Sequence, residues 1–488
     1  MHAALALQSA TFLVSDMVLL PSLSRVLTVL VIVTSTLSVV ASQPLAAQSA
    51  PISTADQVHT GVKSGLELPE RVRNLFSDHQ FTQIEAQLGQ LPHLEASLYK
   101  GLLLNRHNDA AASLRELEAT LDQLGDNHPA EEKLARKAIA EDYLRLGDLS
   151  HAATAYQKLY DRLHDKMTAD ELDEIELPLK LLPLAARNPP MTVEPCDPFL
   201  MQVSRNPLGL TDLPVFVDAL PRRWMLDPTS PFNLMARSTA RLVGIKPTTE
   251  ETVTIHTLTG KPMAVQMAIV PRFTVGGRLT LRNMTVMIFD DADYHFPNSD
   301  YQVVGVLGYP ALQAMGSVTV TESATVEVRP DQQITKKEPK DKLTNGVPFY
   351  LDGDQVLVAF ENAPESTPEA NKAQRIYALD AGGQQSYLTS RYYLEHLEDF
   401  EGETPALFTL AGVDAIAPQP AYTAEDVELW AGKSSLYVHY LQVLKAPLGN
   451  GSRDDLYGLL GVDFLDQLKS YTFDYRTMLF TATSQSQD

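Results

Sequence analysis

The sequence predicts a multidomain chain in which an N-terminal α-helical repeat region precedes an all-β part built from two related lobes. Three observations carry that expectation. From about Pro69 to Leu182 the chain is rich in Leu, Ala, Glu, Gln and Lys, with apolar residues at helical spacing. After Pro198 it changes to short β-branched and aromatic runs bounded by turn residues. That second part then repeats itself at an offset of 153 positions.

Composition bounds the rest. A chain of 488 residues accommodates two to four domains and a sizeable core, and 44% hydrophobic with 20% charged residues is ordinary globular usage. A formal charge of −22 repels phosphate backbones, so nucleic acid is not an expected partner. Cys196 is the single cysteine, which excludes an intrachain disulfide and a cysteine-based zinc site. The 12 histidines form no HExxH pattern, and the chain carries neither a Walker motif nor Gly-x-Ser-x-Gly. No metal site is expected.

Residues 1–50 read as an export segment. Arg25 is their only Lys or Arg, followed by the apolar run VLTVLVIVTSTLSVVA and by small residues, with Ala41-Ser42 and Ala46-Ala47 as candidate cleavage points. The apolar core is short and dotted with Ser and Thr, unlike a permanent span. The expected destination is periplasmic or secreted, with membrane contact only through this segment if it stays uncleaved.

Residues 51–190 form the helical region. Three phrases resemble one another: SDHQFTQIEAQL at 77–88, NRHNDAAASLREL at 105–117 and RLGDLSHAATAYQKL at 145–159. Each is a polar break followed by a helix with small residues on one face, as in tetratricopeptide-type hairpins. Such a region offers a concave face to a protein partner, or serves as a packing domain. The four prolines of Asn188–Pro198 close it.

The β-rich part divides into a first lobe at 200–329, a polar linker at 330–346 and a second lobe at 347–484. In the second lobe the apolar run Ile376–Leu379 delivers Asp380 into a turn with Gly382 and Gly383; in the first, Leu226 delivers Asp227 into Pro228-Thr229-Ser230. Asp227 precedes Gly305 by 78 positions, and Asp380 precedes Gly458 by the same 78. Downstream, VGVLGYPALQAMGSVTV at 304–320 aligns without gaps to YGLLGVDFLDQLKSYTF at 457–473. Both hold Gly-apolar-apolar-Gly, as Gly305–Gly308 and Gly458–Gly461, then a turn of helix and a strand.

A carboxylate turn after an apolar strand, followed much later by an apolar-apolar-Gly strand, resembles the retropepsin-like aspartic peptidases. The resemblance spans roughly Leu213–Thr483 and includes Leu213-Pro-Val-Phe-Val, Ser238–Gly244 and the closing Phe464–Tyr475. It implies a two-lobed retropepsin/pepsin-like acid-protease fold with both halves of the site in one chain. It also implies an endopeptidase that acts on a peptide or protein substrate, with Asp227 and Asp380 as catalytic dyad and no cofactor. Gly305, Gly308, Gly458 and Gly461 would brace the active-site loops. Thr259, Gly260 and Lys261 would form the tip of a flap in lobe one. In lobe two the flap falls around Phe408–Val413 or Glu428–Leu436. Which aspartate is the base stays open.

Both loops depart from the family's pattern. Where it has Thr or Ser after the Asp, whose hydroxyl ties the loops together, this chain has Pro228 and Ala381. Where it has Gly next, lobe two keeps Gly382 but lobe one has Thr229. Thr229 restores a hydroxyl one position late. The alternative reading is an inactive pseudo-protease that keeps the fold as a peptide- or protein-binding scaffold in the cell envelope. Trp224 and Trp430 fit core positions better than a cleft wall, and the run Asp290–Asp293 near His295 fits a solvated turn.

Overall fold

The computed structural model describes residues 67–124, 128–256, 262–294, 296, 299–330, 346–353, 355–362, 374–410, 418–431, 434–448 and 454–484. All of these belong to one compact unit, Val58–Asp488. The export segment at 1–50 and the linker positions 331–345 lie outside the described residues.

Among the described residues, seven α-helices come first: α1 (Leu68–Ser77), α2 (Phe81–Glu85), α3 (His93–Arg106), α4 (Ala110–Leu124), α5 (Pro129–Arg145), α6 (Leu149–Leu163) and α7 (Ala169–Ala185). Local chemistry marks their starts. Pro129 opens α5, where an N–H would have no helical partner. Thr168 and Glu171 make a capping box on α7, with reciprocal bonds of 3.2 and 2.8 Å. Helices α3 and α4 meet at Gly101, where a Cβ would lie 2.5 Å from Leu117 Cδ2, and the Ser113 hydroxyl donates to the Gly101 carbonyl at 2.9 Å. Only a residue without a side chain admits that approach.

The helical region touches both lobes. Phe81 and His107 pack on Tyr350 with ring centroids 4.6 and 5.1 Å away, and buried Leu98, Leu102 and Ile84 share a core with Leu357, Ala359 and Ile376 of the second lobe. At the other end, Leu181 and Ala185 of α7 join a core containing Val253 and Ile255 of the first lobe. A cavity of about 420 Å³ lies where helices and second lobe meet, lined by Arg106, Lys137, Glu141 and Asp352 among others.

The repeat read from the sequence reappears as topology. In lobe one, strand Gly305–Leu307 runs parallel to Leu220–Leu226 and antiparallel to Leu234–Ala236. In lobe two, Gly458–Leu460 runs parallel to Gln374–Leu379 and antiparallel to Tyr387–Leu388. Even the register is duplicated: Leu226 faces Leu307, and Leu379 faces Leu460. The chain thus has the helical front and the all-β, two-lobed retropepsin-like back that its sequence predicts.

The lobes are joined by strands from both. Phe199–Gln202, Thr325–Arg329, Ser317–Thr321, Leu468–Asp474, Leu479–Ser484 and Gly346–Asp352 lie side by side, each antiparallel to its neighbour. Hydrogen bonding therefore continues from one lobe into the other. The alternating burial of Ser317–Thr321 and Leu468–Asp474 puts Val318, Val320, Tyr471 and Phe473 into one core.

Candidate active site

Each aspartate stands where a buried strand ends. Trp224, Met225 and Leu226 are buried ahead of Asp227, and Tyr377, Ala378 and Leu379 ahead of Asp380. The strand that pairs alongside then holds the backbone beyond its own end: Asp227 N–H donates to the Leu307 carbonyl at 3.1 Å, and Asp380 N–H to Leu460 at 2.9 Å. Both loops fold back in the same way. Thr229 N–H donates to Asp227 Oδ1 at 3.0 Å and Gly382 N–H to Asp380 Oδ1 at 3.1 Å. Ser230 and Gly383 N–H donate to the carbonyls of Asp227 and Asp380 at 3.3 and 3.2 Å.

The glycines set how closely these pieces approach. A Cβ on Gly308 would lie 2.2 Å from the Phe232 carbonyl oxygen, and one on Gly461 would lie 2.9 Å from that of Gln385. Gly305 packs under the Trp224 ring, and Gly458 lies against the Tyr387 carbonyl. Gly382 faces across the lobes: a Cβ there would stand 2.6 Å from Asp227 Cγ. The backbone of one loop thus rests on the carboxyl group of the other. Gly383 leaves the matching space for its own lobe's Asp380, whose Oδ2 would be 2.3 Å from a Cβ.

Pro228 and Ala381 are buried and carry no hydroxyl. The link between loops comes instead from Thr229. Its hydroxyl oxygen lies 2.7 Å from Asp227 Oδ1 and 3.2 Å from Asp380 Oδ1. Two carboxyl groups, each 8% exposed, therefore meet at a single hydroxyl. Two carboxyl groups that share one hydrogen-bond partner repel each other when both are ionised.

The surroundings hold residues that sequence reasoning missed. Asn233 Oδ1 accepts from Gly308 N–H at 3.2 Å, and Ser386 Oγ accepts from Gly461 N–H at 2.8 Å. These two lie six positions after Asp227 and Asp380, so the repeat offset is the signal that would have found them. Tyr294 is buried beside Phe289 and Phe296, with ring centroids 5.2 and 6.0 Å away. Burial pushes its phenol well above the usual range, and the charges of Asp227 and Asp380 push it further. Tyr475, edge-on to Tyr309, is raised by burial, then by Tyr309 and by Asp227. Tyr294 has Pro447 at its repeat position, so no internal signal marked it.

The flap residues Thr259, Gly260 and Lys261 lie outside the described residues. Flanking them, strand Val253–His256 pairs with Pro262–Val275, with His256 opposite Pro262. The strand in the same topological place in lobe two is Ala406–Phe408, paired with Gln419–Ala431 through Phe408 and Gln419. The alternative Phe408–Val413 runs from the end of this strand into positions 411–417, which lie outside the described residues. In the second alternative, Glu428–Ala431 and Ser434–Leu436 lie in the antiparallel strands Gln419–Ala431 and Ser434–Leu444, the counterparts of Pro262–Val275 and Leu279–Phe289, and positions 432–433 lie outside the described residues. Trp224 is a fully buried core residue, and Trp430 is half-buried in a strand. Asp291 accepts from the N–H and hydroxyl of Ser238, while Asp290 pairs with Arg237 at 3.5 Å, so this acidic turn anchors the helix Arg237–Leu242.

Residues 213–311 match the family model described as aspartyl protease. Against curated proteins the chain shows no match. Among solved structures, it is similar to a retropepsin-like aspartic protease from Rickettsia conorii at 14% identity, covering 29% of this chain and 93% of that one, with a TM-score of 0.21. It is also similar to conglutin gamma, a basic 7S globulin from lupine seeds, at 11% identity over 60% of this chain and 96% of that one, with a TM-score of 0.34. Basic 7S globulin from soybean aligns at 10% identity over 60% and 98%, with a TM-score of 0.35. By the family match in its first lobe and by its own chain trace, the protein has the fold of a retropepsin-like aspartic peptidase, preceded by a helical region.

Proposed function

We propose that the protein is an aspartic endopeptidase whose Asp227/Asp380 pair activates a water molecule against a peptide bond. The single observation that carries this reading is the meeting of both carboxyl groups, one from each lobe, at the Thr229 hydroxyl. A pair held so closely keeps one proton over a wide pH range. The ionised member takes a proton from water as its oxygen bonds to the scissile carbonyl carbon, and the protonated member gives its proton to the carbonyl oxygen. On collapse of the resulting diol the carbon–nitrogen bond breaks. The amide nitrogen then receives the first proton, and the second carboxylate recovers one from a diol hydroxyl, which restores the starting pair. No cofactor enters this scheme. The N-terminal segment with Arg25 and its apolar run supports action outside the cytoplasm, in the periplasm or after secretion.

Pro228 and Ala381, which carry no hydroxyl where the resembled family has Thr or Ser, favour a second reading, a binding scaffold without hydrolysis. The two readings separate in one experiment. Mature protein is incubated with a peptide mixture from about pH 3 to pH 7 and the products are read by mass spectrometry, beside Asp227→Asn and Asp380→Asn. Cleavage that is lost in both variants, with melting temperatures unchanged, supports the peptidase. Absence of cleavage at every pH from a folded protein supports the scaffold.

A further inference from the structure

Thr229 occupies a position that has no hydroxyl counterpart in the other lobe. Its repeat partner is Gly382, which supplies an N–H to Asp380 and nothing more. The Thr229 hydroxyl carries one proton, yet its oxygen stands within hydrogen-bond distance of two carboxyl oxygens. It can donate to only one of them. For the other contact to be a full hydrogen bond as well, the hydroxyl accepts there, and a carboxyl group donates only when protonated. The distances are unequal, 2.7 Å to Asp227 Oδ1 and 3.2 Å to Asp380 Oδ1. Asp227 Oδ1 also receives the Thr229 backbone N–H at 3.0 Å, so one residue directs two donors at the same oxygen. Donors aimed at a carboxylate favour its charged form.

We propose that Thr229 is a positioning residue that donates its hydroxyl proton to Asp227 and accepts from a protonated Asp380, so that Asp227 is the base and Asp380 the acid. The proposal deepens the peptidase reading and rests on it for the words base and acid, but the proton assignment itself exists without turnover. The bridge also replaces the tie that Pro228 and Ala381 lack. It joins lobe one to lobe two through a side chain that reaches both reacting groups. Two buried phenols feel the pair electrostatically, Tyr294 through both aspartates and Tyr475 through Asp227. Both are neutral phenols throughout the acidic and neutral range.

The test is a carboxyl titration of the full chain with aspartate labelled at 13Cγ, followed by NMR, with the two resonances assigned through Asp227→Asn and Asp380→Asn. The expected result is two coupled steps, with the Asp227 resonance dominating the lower. In Thr229→Val the steps draw together by about one pH unit, the size of shift that one hydrogen bond to a charged group produces. Thr229→Ser restores their separation. Thr229→Ala removes the same hydroxyl if valine is not accommodated, and the melting temperature reports whether each variant folds. A lower step dominated by Asp380 overturns the proposal, as does a folded Thr229→Val or Thr229→Ala whose steps stay in place. A parallel cleavage assay separates the two claims. Cleavage with unmoved titrations defeats the role of Thr229 and leaves the peptidase. Titrations that move as stated in a protein that cuts nothing defeat the peptidase and leave the proton bridge.

Discussion

Thr319 and Thr472 meet hydroxyl to hydroxyl at 2.8 Å, and the 153 positions between them are the repeat offset itself. They face each other in the antiparallel pairing of Ser317–Thr321 with Leu468–Asp474. Pairing then runs outward symmetrically, Val318 with Phe473 and Val320 with Tyr471. A residue that pairs with its own repeat copy marks the local two-fold axis between lobes. Replacing both threonines by valine keeps the strand preference and removes the hydroxyl pair. A double-mutant cycle of urea unfolding on Thr319→Val and Thr472→Val should show a coupling of about 0.5–1 kcal/mol. Additive effects would show that the hydroxyls contribute separately.

Gly382→Ala tests the closeness of the two carboxyl groups. Its Cβ would stand 2.6 Å from Asp227 Cγ, so the second loop must retreat from the first. Cleavage should fall by about 10²-fold, the sensitivity expected when reacting groups move by about an ångström. Circular dichroism should stay close to that of the parent. Undiminished cleavage would mean that the pair tolerates a wider gap than its geometry implies.

The bracing glycines should differ in cost. At Gly308 an added Cβ meets the Phe232 and Ser230 carbonyl oxygens at 2.2 and 2.5 Å, while at Gly461 the nearest atoms belong to Gln385 at 2.9 Å. Backbone cannot rotate aside, so Gly308→Ala should destabilise by about 3 kcal/mol or more and Gly461→Ala by about 1–2 kcal/mol. Denaturant midpoints give the order directly.

The helical region carries a pH signal of its own. Burial pushes the Asp142 carboxyl up to about 7, against the charge of Arg145 and a hydrogen bond from Asn105 at 2.9 Å. An unfolded aspartate titrates near 4, so between about pH 4 and pH 7 the folded chain holds a proton that the unfolded chain has lost. Stability from this group therefore falls as pH rises through that window and levels off above it. In Asp142→Asn the fall should flatten by up to about 4 kcal/mol, measured as unfolding free energy from pH 4 to pH 8.

Docking of helices to the second lobe rests partly on Arg106, whose guanidinium lies 2.7 Å from Asp352 Oδ1. Burial raises the Asp352 carboxyl, but Arg106, Lys137 and Arg145 outweigh it and hold the group well below the usual range. Arg106→Ala leaves Asp352 and Glu141 short of a cation at the junction, and should lower unfolding free energy by about 3 kcal/mol at neutral pH. Because the depressed carboxyl contributes above its unfolded pKa, the deficit should shrink as pH falls below about 4.

Much of the architecture was legible in the sequence because its signals are local or internally duplicated. Apolar spacing marked α3 to α6, and the change to β-branched runs marked the lobes. The gap-free alignment of 304–320 with 457–473 predicted duplicated lobes, and the structure gives both the same strand register. The same offset identified Asp227 and Asp380 as counterparts, and it would also have identified Asn233 and Ser386. By contrast, Tyr294 has no repeat copy that resembles it, and its burial between Phe289 and Phe296, where it feels both aspartates' charges, depends on how the chain beyond Phe289 returns to the core.

From residue order alone come the helical front, the duplicated lobes and the two aspartates, since periodicity and repetition are properties of neighbours along the chain. Tertiary structure decided how the altered loops are tied. Pro228 and Ala381 read as a lost link, and Thr229 as a hydroxyl out of place. Whether that hydroxyl reaches Asp380 depends on the approach of two loops from separate lobes. That approach is set by Gly382 lying against the opposite carboxyl and by the strands that close the sheet between lobes. A contact between residues 151 positions apart has no trace in either residue's neighbours, because packing elsewhere brings them together.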